Sequence, residues 1–131
     1  MDTATWHEIL PDQCPPSDAF EPRGFVCYRL CKDSEPADAD FVSQRQLQPT
    51  KVFNAPECIA RAVSVHSDIA DSLKLTGLPA HRGKTIVELA LAPSHGVVKK
   101  TGRLSHYSWW RSSACTPVLF AKKVGANDEN S

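Results

Sequence analysis

No uninterrupted apolar run approaches the ~18 residues that a membrane-spanning helix needs. The best, TIVELALA at 85–92, is broken by Glu88, which carries the expectation of no membrane partner. The opening MDTATWHEIL has neither a basic stretch nor an apolar stretch of the kind that marks a secretory signal. None of the five cysteines stands in a CxxC pair. Cys27 and Cys31 sit four apart in a predicted strand, roughly 13 Å from each other along it, too far to bridge. These features together predict free thiols and a reducing, cytoplasmic setting. The phosphate loops GxxxxGK[ST] and GxGxxG are missing, as is the GxSxG elbow of serine hydrolases. His66, His81, His95 and His106 form no HxH or HExxH spacing, so no metal is expected.

Acid is also absent from one long region. Residues 89–127 hold no Asp or Glu and six bases, whereas residues 1–40 carry nine acids against three bases. The net charge of zero conceals this polarity. Two explanations are open: the basic third meets an anionic partner, or the two ends lie side by side and neutralise each other.

What is present describes one globular domain. The 131 residues are 41% hydrophobic and 23% charged, ordinary proportions for a single core. Ten prolines exceed the average of about 5% and predict much loop with few long helices. The expected organisation is an extended Pro-rich segment over 1–23, a domain over 24–124 and a disordered tail over 125–131.

Within the domain, GFVCYRLC (24–31) alternates as a strand with Phe25, Cys27, Arg29 and Cys31 on one face. Ser34 before Glu35-Pro36 predicts a short helix across ADADFVSQ. A helical turn is expected at Cys58–Arg61, a strand at 62–66 and a helix over Ile69–Leu75 capped by Ser67 or Asp68. Gly77 ends that helix. GKTIVELAL (83–91) is a strand. GVVKKTGRLSHYSWW gives two strands, 96–100 and 104–110, joined as a hairpin near Thr101-Gly102. PVLFA (117–121) is expected as the last strand. The fold class is α+β, a single small domain of mainly antiparallel strands with two or three short helices.

The candidate chemistry falls in two places. In the hairpin, Lys99, Lys100 and Arg103 cluster near Tyr107, Trp109 and Arg111. Cations beside aromatic rings bind phosphates and stack bases. The adjacent indoles of Trp109 and Trp110 must point to opposite faces, so one is expected in the core and the other at a ligand site. Elsewhere, Arg29, Ser64 and His66 are polar groups on otherwise apolar strands. Arg29 requires a carboxylate, backbone carbonyls or an anionic ligand; Glu88 and Glu57 are the expected ion-pair partners. Cys58, at the start of a helical turn, is either an activated thiol or a buried structural one. HRGK (81–84) offers a compact patch for an anion.

The order of YR (Tyr28-Arg29), DFVS (40–43) and ARAVSVHSD (60–68), then a helix and a strand-rich remainder, resembles compact ADP-ribosyltransferase-like domains, which include the RNA 2′-phosphotransferases. Over residues 24–91 the resemblance implies that Arg29, Ser64 and His66 line a nicotinamide dinucleotide pocket. The late glutamate that positions the acceptor in many such transferases has no counterpart in 89–127, and Glu88 is the only late carboxylate within a predicted element. The ending GVVKK…SHYSWW is also similar to that of small bacterial proteins, a likeness that implies no activity.

The leading expectation is therefore a domain that binds a phosphate-bearing ligand, nucleic acid or nucleotide, through the basic aromatic hairpin, without a resident cofactor. The alternative is an enzyme acting on a dinucleotide, such as NAD, or an RNA phosphate, with Arg29, Ser64, His66 and His106 as its catalytic set. A third reading is a protein-interaction module. Whether the chain is an enzyme stays open at this stage.

Overall fold

A computed structural model describes residues 6–124; the predicted tail at 125–131 lies outside the described residues. Six strands form one antiparallel sheet: β1 (Phe25–Cys31), β2 (Val63–His66), β3 (Thr85–Leu91), β4 (Gly96–Lys100), β5 (His106–Arg111) and β6 (Lys122–Val124). Their order across the sheet is β4-β5-β2-β1-β3-β6. Three short helices accompany them: α1 (Gln44–Leu47), α2 (Glu57–Ala60) and α3 (Ile69–Thr76). This is the expected small α+β domain. Among the described residues no helix is long and apolar enough to cross a membrane.

The period-two pattern of each strand decides which face is buried. Register pairs Cys27 with Leu89 and Arg29 with Val87, and on the other side Val63 with Trp109 and Val65 with Tyr107. These residues therefore share one face, and its apolar members join Phe41, Val98 and Cys115 in the core. Fully burying each Val or Leu contributes about 1.5–3 kcal/mol. The opposite face carries Tyr28, Glu88, Ser64, His66 and His106, placed there by the same registers. α3 lies near β1 and β2 and is capped as expected, Asp68 accepting from the Ala70 amide at 3.0 Å. Gly96 opens β4 at φ 129°, where a Cβ would stand 2.1 Å from the Trp110 carbonyl oxygen. Only glycine fits so close an approach.

Several expectations are corrected. No helix spans 37–44; the chain makes a 3₁₀ turn at Asp38–Asp40 and begins α1 only after Ser43, whose hydroxyl accepts from the Gln46 amide. Segment 117–121 is not a strand. Pro117 starts a 3₁₀ turn to Leu119, and pairing resumes at β6 against β3. The five cysteines are not all free: Cys14 and Cys58 form a disulfide, while Cys27, Cys31 and Cys115 are buried thiols. The bridge rules out an activated Cys58 thiol and removes the premise behind the reducing setting.

The disulfide anchors a Pro-rich segment that lies against the domain through further contacts. The Glu8 carboxylate accepts from the Ser43 amide at 2.9 Å and its hydroxyl at 2.5 Å, and Arg61 donates to the Ile9 carbonyl. Three of the six bases in 89–127 pair with acids of the opening third. Lys99 meets Asp18, Arg111 meets Asp38 and Lys123 meets Glu35.

Candidate functional site

One rung of the sheet carries a polar residue on every strand it crosses. Lys122 pairs with Glu88, Glu88 with Tyr28, Tyr28 with His66, and His66 with His106. Register alone places these five side chains in a row on one face. Beside the row opens a cavity of about 380 Å³, within the range of small-molecule sites. Tyr28, Arg29, Ser64, His66 and His106 line its sheet side; His81 and Lys84 close another wall, and Val42, Gln44, Leu47 and Leu75 complete it together with Leu30.

Arg29 reaches this cavity from the junction of β1 and β2, which share the single register pair Tyr28–His66. Its guanidinium donates through Nε to the Asp40 carbonyl at 2.7 Å, through Nη1 to the Ser64 carbonyl at 2.8 Å and through Nη2 to the Val42 carbonyl at 3.3 Å. The expected ion pair with Glu88 or Glu57 is not made. Glu57 instead takes Arg45 and Arg61, whose hydrogen bonds hold its carboxyl down at about 2. Arg29 is thus a half-buried cation held by neutral oxygens, and burial lowers its basicity. A guanidinium has five N–H donors; the second hydrogens on Nη1 and Nη2 have no acceptor among the described residues.

The two histidines of the rung stand edge to face with ring centroids 5.6 Å apart. Burial depresses both below the ordinary 6.5, and the Arg29 charge adds to the effect. His106 Nδ1 lies 3.1 Å from the Thr101 carbonyl, which only accepts. Neutral His106 therefore carries its proton on Nδ1 and keeps the lone pair on Nε2. Thr101 Oγ1 stands 3.1 Å from the same nitrogen and 2.8 Å from Ser108 Oγ, a second layer that fixes the ring. His66 Nδ1 faces the buried Ser72 hydroxyl at 3.4 Å. On the far wall Lys84 Nζ donates to His81 Nδ1 at 3.0 Å, and His81 is depressed by burial and by that lysine.

The cavity brings together Arg29, Ser64, His66 and His106, the whole catalytic set named from sequence. It does not include the hairpin set. Trp109 and Trp110 are 0% and 1% exposed, and each indole donates to a carbonyl, of His95 and Cys58 respectively. The expected accessible indole does not exist, because the chain covers both faces of β5 at this point. Tyr107 packs on Phe25 at 4.8 Å between centroids. Arg111 is buried beneath 38–41, and Lys99 is engaged by Asp18. Lys100 and Arg103 remain exposed.

Tyr28, His81 and Lys84 line the cavity without having been placed in the catalytic set. The HRGK stretch had marked the last two as an anion patch, but periodicity carries no information about which loop faces which strand. Comparison with protein-family models, with curated proteins and with solved structures finds no match.

Proposed function

We propose that the β1–β2 cavity binds an anionic, phosphate-bearing ligand of the nucleotide class. One observation carries this reading. Two cations, Arg29 and Lys84, line the cavity, and among the described residues no carboxylate does. Fixed N–H donors in a partly enclosed, low-dielectric site favour an anion far more than the same groups in water. The depressed histidines leave Arg29 and Lys84 as the cations of the lining, and His106 offers Nε2 as an acceptor.

Titration calorimetry with inorganic phosphate, a mononucleotide and a short oligonucleotide tests it. Lys84→Ala should weaken binding about tenfold, the loss of one charge-assisted contact. Lys100→Glu with Arg103→Glu should leave affinity unchanged. If the hairpin pair reduces affinity and Lys84→Ala does not, the ligand lies on the hairpin and this reading fails.

A second reading, transfer from a nicotinamide dinucleotide, is favoured by the convergence of Arg29, Ser64 and His66, the positions the family resemblance implies. Release of nicotinamide from NAD by the wild type and its loss in Arg29→Lys would support it. The carboxylate-free lining ranks it second.

A further inference from the structure

His66 and His106 are neighbours on one rung, yet their surroundings differ in the sense that separates an acid from a base. The Thr101 carbonyl commits neutral His106 to an unprotonated Nε2; burial opposes a second proton, the Thr101 bond favours it, and Lys100 and Arg29 oppose it. His66 has no such commitment. Its Nδ1 faces a hydroxyl that accepts or donates equally well, and the Asp71 carboxylate nearby favours the charged ring. Asp71 is itself fixed, its Oδ2 accepting from the Ser105 amide at 3.1 Å. Burial depresses both rings alike, so the roles follow from the tautomer in which Thr101 holds His106 and from the Asp71 carboxylate beside His66.

We propose that this pair makes the cavity a site of RNA phosphodiester transesterification, with His106 as the base and His66 as the acid. The inference rests on the phosphate-binding reading above and deepens it. His106 Nε2 takes the proton of a ribose 2′-hydroxyl, and that oxygen attacks the adjacent phosphorus. The O2′–P bond forms as the P–O5′ bond breaks, and His66 delivers its proton to the departing O5′. The products are a 2′,3′-cyclic phosphate and a 5′-hydroxyl. One proton enters at His106 and one leaves at His66, and exchange with water restores both. No co-reactant is consumed. The cations of Arg29 and Lys84 meet the charge that grows on the phosphoryl oxygens, and rings centred 5.6 Å apart are close enough to hydrogen-bond one phosphate group.

The groups facing His66 are Tyr28, His106, Asp71 and Arg29; those facing His106 are Lys100, Arg29 and His66. Since the reaction needs one ring neutral and the other charged while burial depresses both, rate against pH should be bell-shaped with its maximum on the acid side of 6.5.

The test uses the full chain with a short oligoribonucleotide, a matching strand with a single 2′-deoxy residue, and a fully deoxy strand. Expected are a cyclic-phosphate product from the first, no scission at the deoxy position, and measurable binding of all three. His106→Ala and His66→Ala should each lower the rate by about 10²–10⁴, a loss much larger than any change in oligonucleotide binding. Binding without cleavage of the ribo strand overturns the inference and leaves the phosphate site standing. Scission at the deoxy position overturns it too, since the nucleophile is then not the 2′-oxygen. Absence of binding to every strand removes both. The deoxy comparison uses the wild-type protein, so a variant that fails to fold does not decide the outcome.

Discussion

Arg29 and Arg111, on the two strands that flank β2, hold three successive carbonyls of one crossing segment. Asp40 and Val42 accept from Arg29, and Phe41 accepts from Arg111. One buried and one half-buried cation are thereby satisfied mainly by backbone, and a segment with little regular structure is fixed above the sheet. The same clamp gives Arg29 its position at the cavity, so stability and the candidate site share a residue.

Arg29→Met should be severely destabilising. It leaves the Asp40, Val42 and Ser64 carbonyls without their donor, and each buried acceptor so stranded costs about 1–3 kcal/mol. A loss of about 3 kcal/mol or more is expected in urea unfolding. A change of a few tenths would show that these bonds are replaced by water.

Arg111 and Asp38 should respond unequally although they are partners. The Arg111 side chain is 4% exposed, that of Asp38 54%. Arg111→Ala removes the donor to Phe41 and Cys115 as well as to Asp38 and should cost about 3–5 kcal/mol. Asp38→Asn should cost less than about 1 kcal/mol, because its end of the pair faces solvent. Equal losses would assign the stability to the ion pair rather than to the carbonyls.

The Cys14–Cys58 disulfide closes a loop with a sequence separation of 44. Chain-entropy reasoning gives such a crosslink about 4 kcal/mol of stabilisation. Reduction should therefore lower the melting temperature markedly. Without denaturant, a bulky thiol reagent should modify two cysteines only after reduction, while Cys27, Cys31 and Cys115 stay unreacted. Burial raises those three, to about 12, 12 and 11, so they hold little thiolate. Labelling of a third cysteine under native conditions would contradict their placement.

Acid should weaken the fold before the carboxylates titrate. His66, His81, His95 and His106 all lie below 6.5 in the folded state, burial being the first cause in each. Groups depressed by folding leave stability intact above the unfolded value. As pH falls below about 6.5 the unfolded chain takes up protons that the folded chain refuses, and stability declines until the folded values are passed. Urea midpoints between about pH 8 and about pH 5 should show this fall, flatter in His106→Gln. A midpoint that rises on acidification would mean the rings gain charge-stabilising partners on folding.

Local chemistry made much of the fold legible. Alternation in 24–31, 62–66 and 83–91 marks β1, β2 and β3, and Asp68 with Gly77 brackets α3, because these signals act between near neighbours. The failures have the same origin. Pro36 and Pro117 signal turns in either reading, and nothing local distinguishes a helix at 37–44 from the 3₁₀ turn that leaves three carbonyls free for two arginines. The polarity of Arg29, Ser64 and His66 within apolar strands singled out three of the residues on the sheet side of the cavity. Tyr28 and Lys84 were not placed in that set, because an aromatic in a strand and a lysine in a loop are ordinary.

By itself the sequence determined the alternating strands, the helix caps and the odd polar residues on apolar faces, all set by dihedral preference and side-chain period. Only the tertiary structure decided which of those polar residues meet. Strand register aligned Tyr28, His66 and His106, and the bridging of the two ends placed both tryptophans inside. Long-range pairing is chosen by total burial and hydrogen-bond satisfaction over the whole domain, a sum that no short stretch contains.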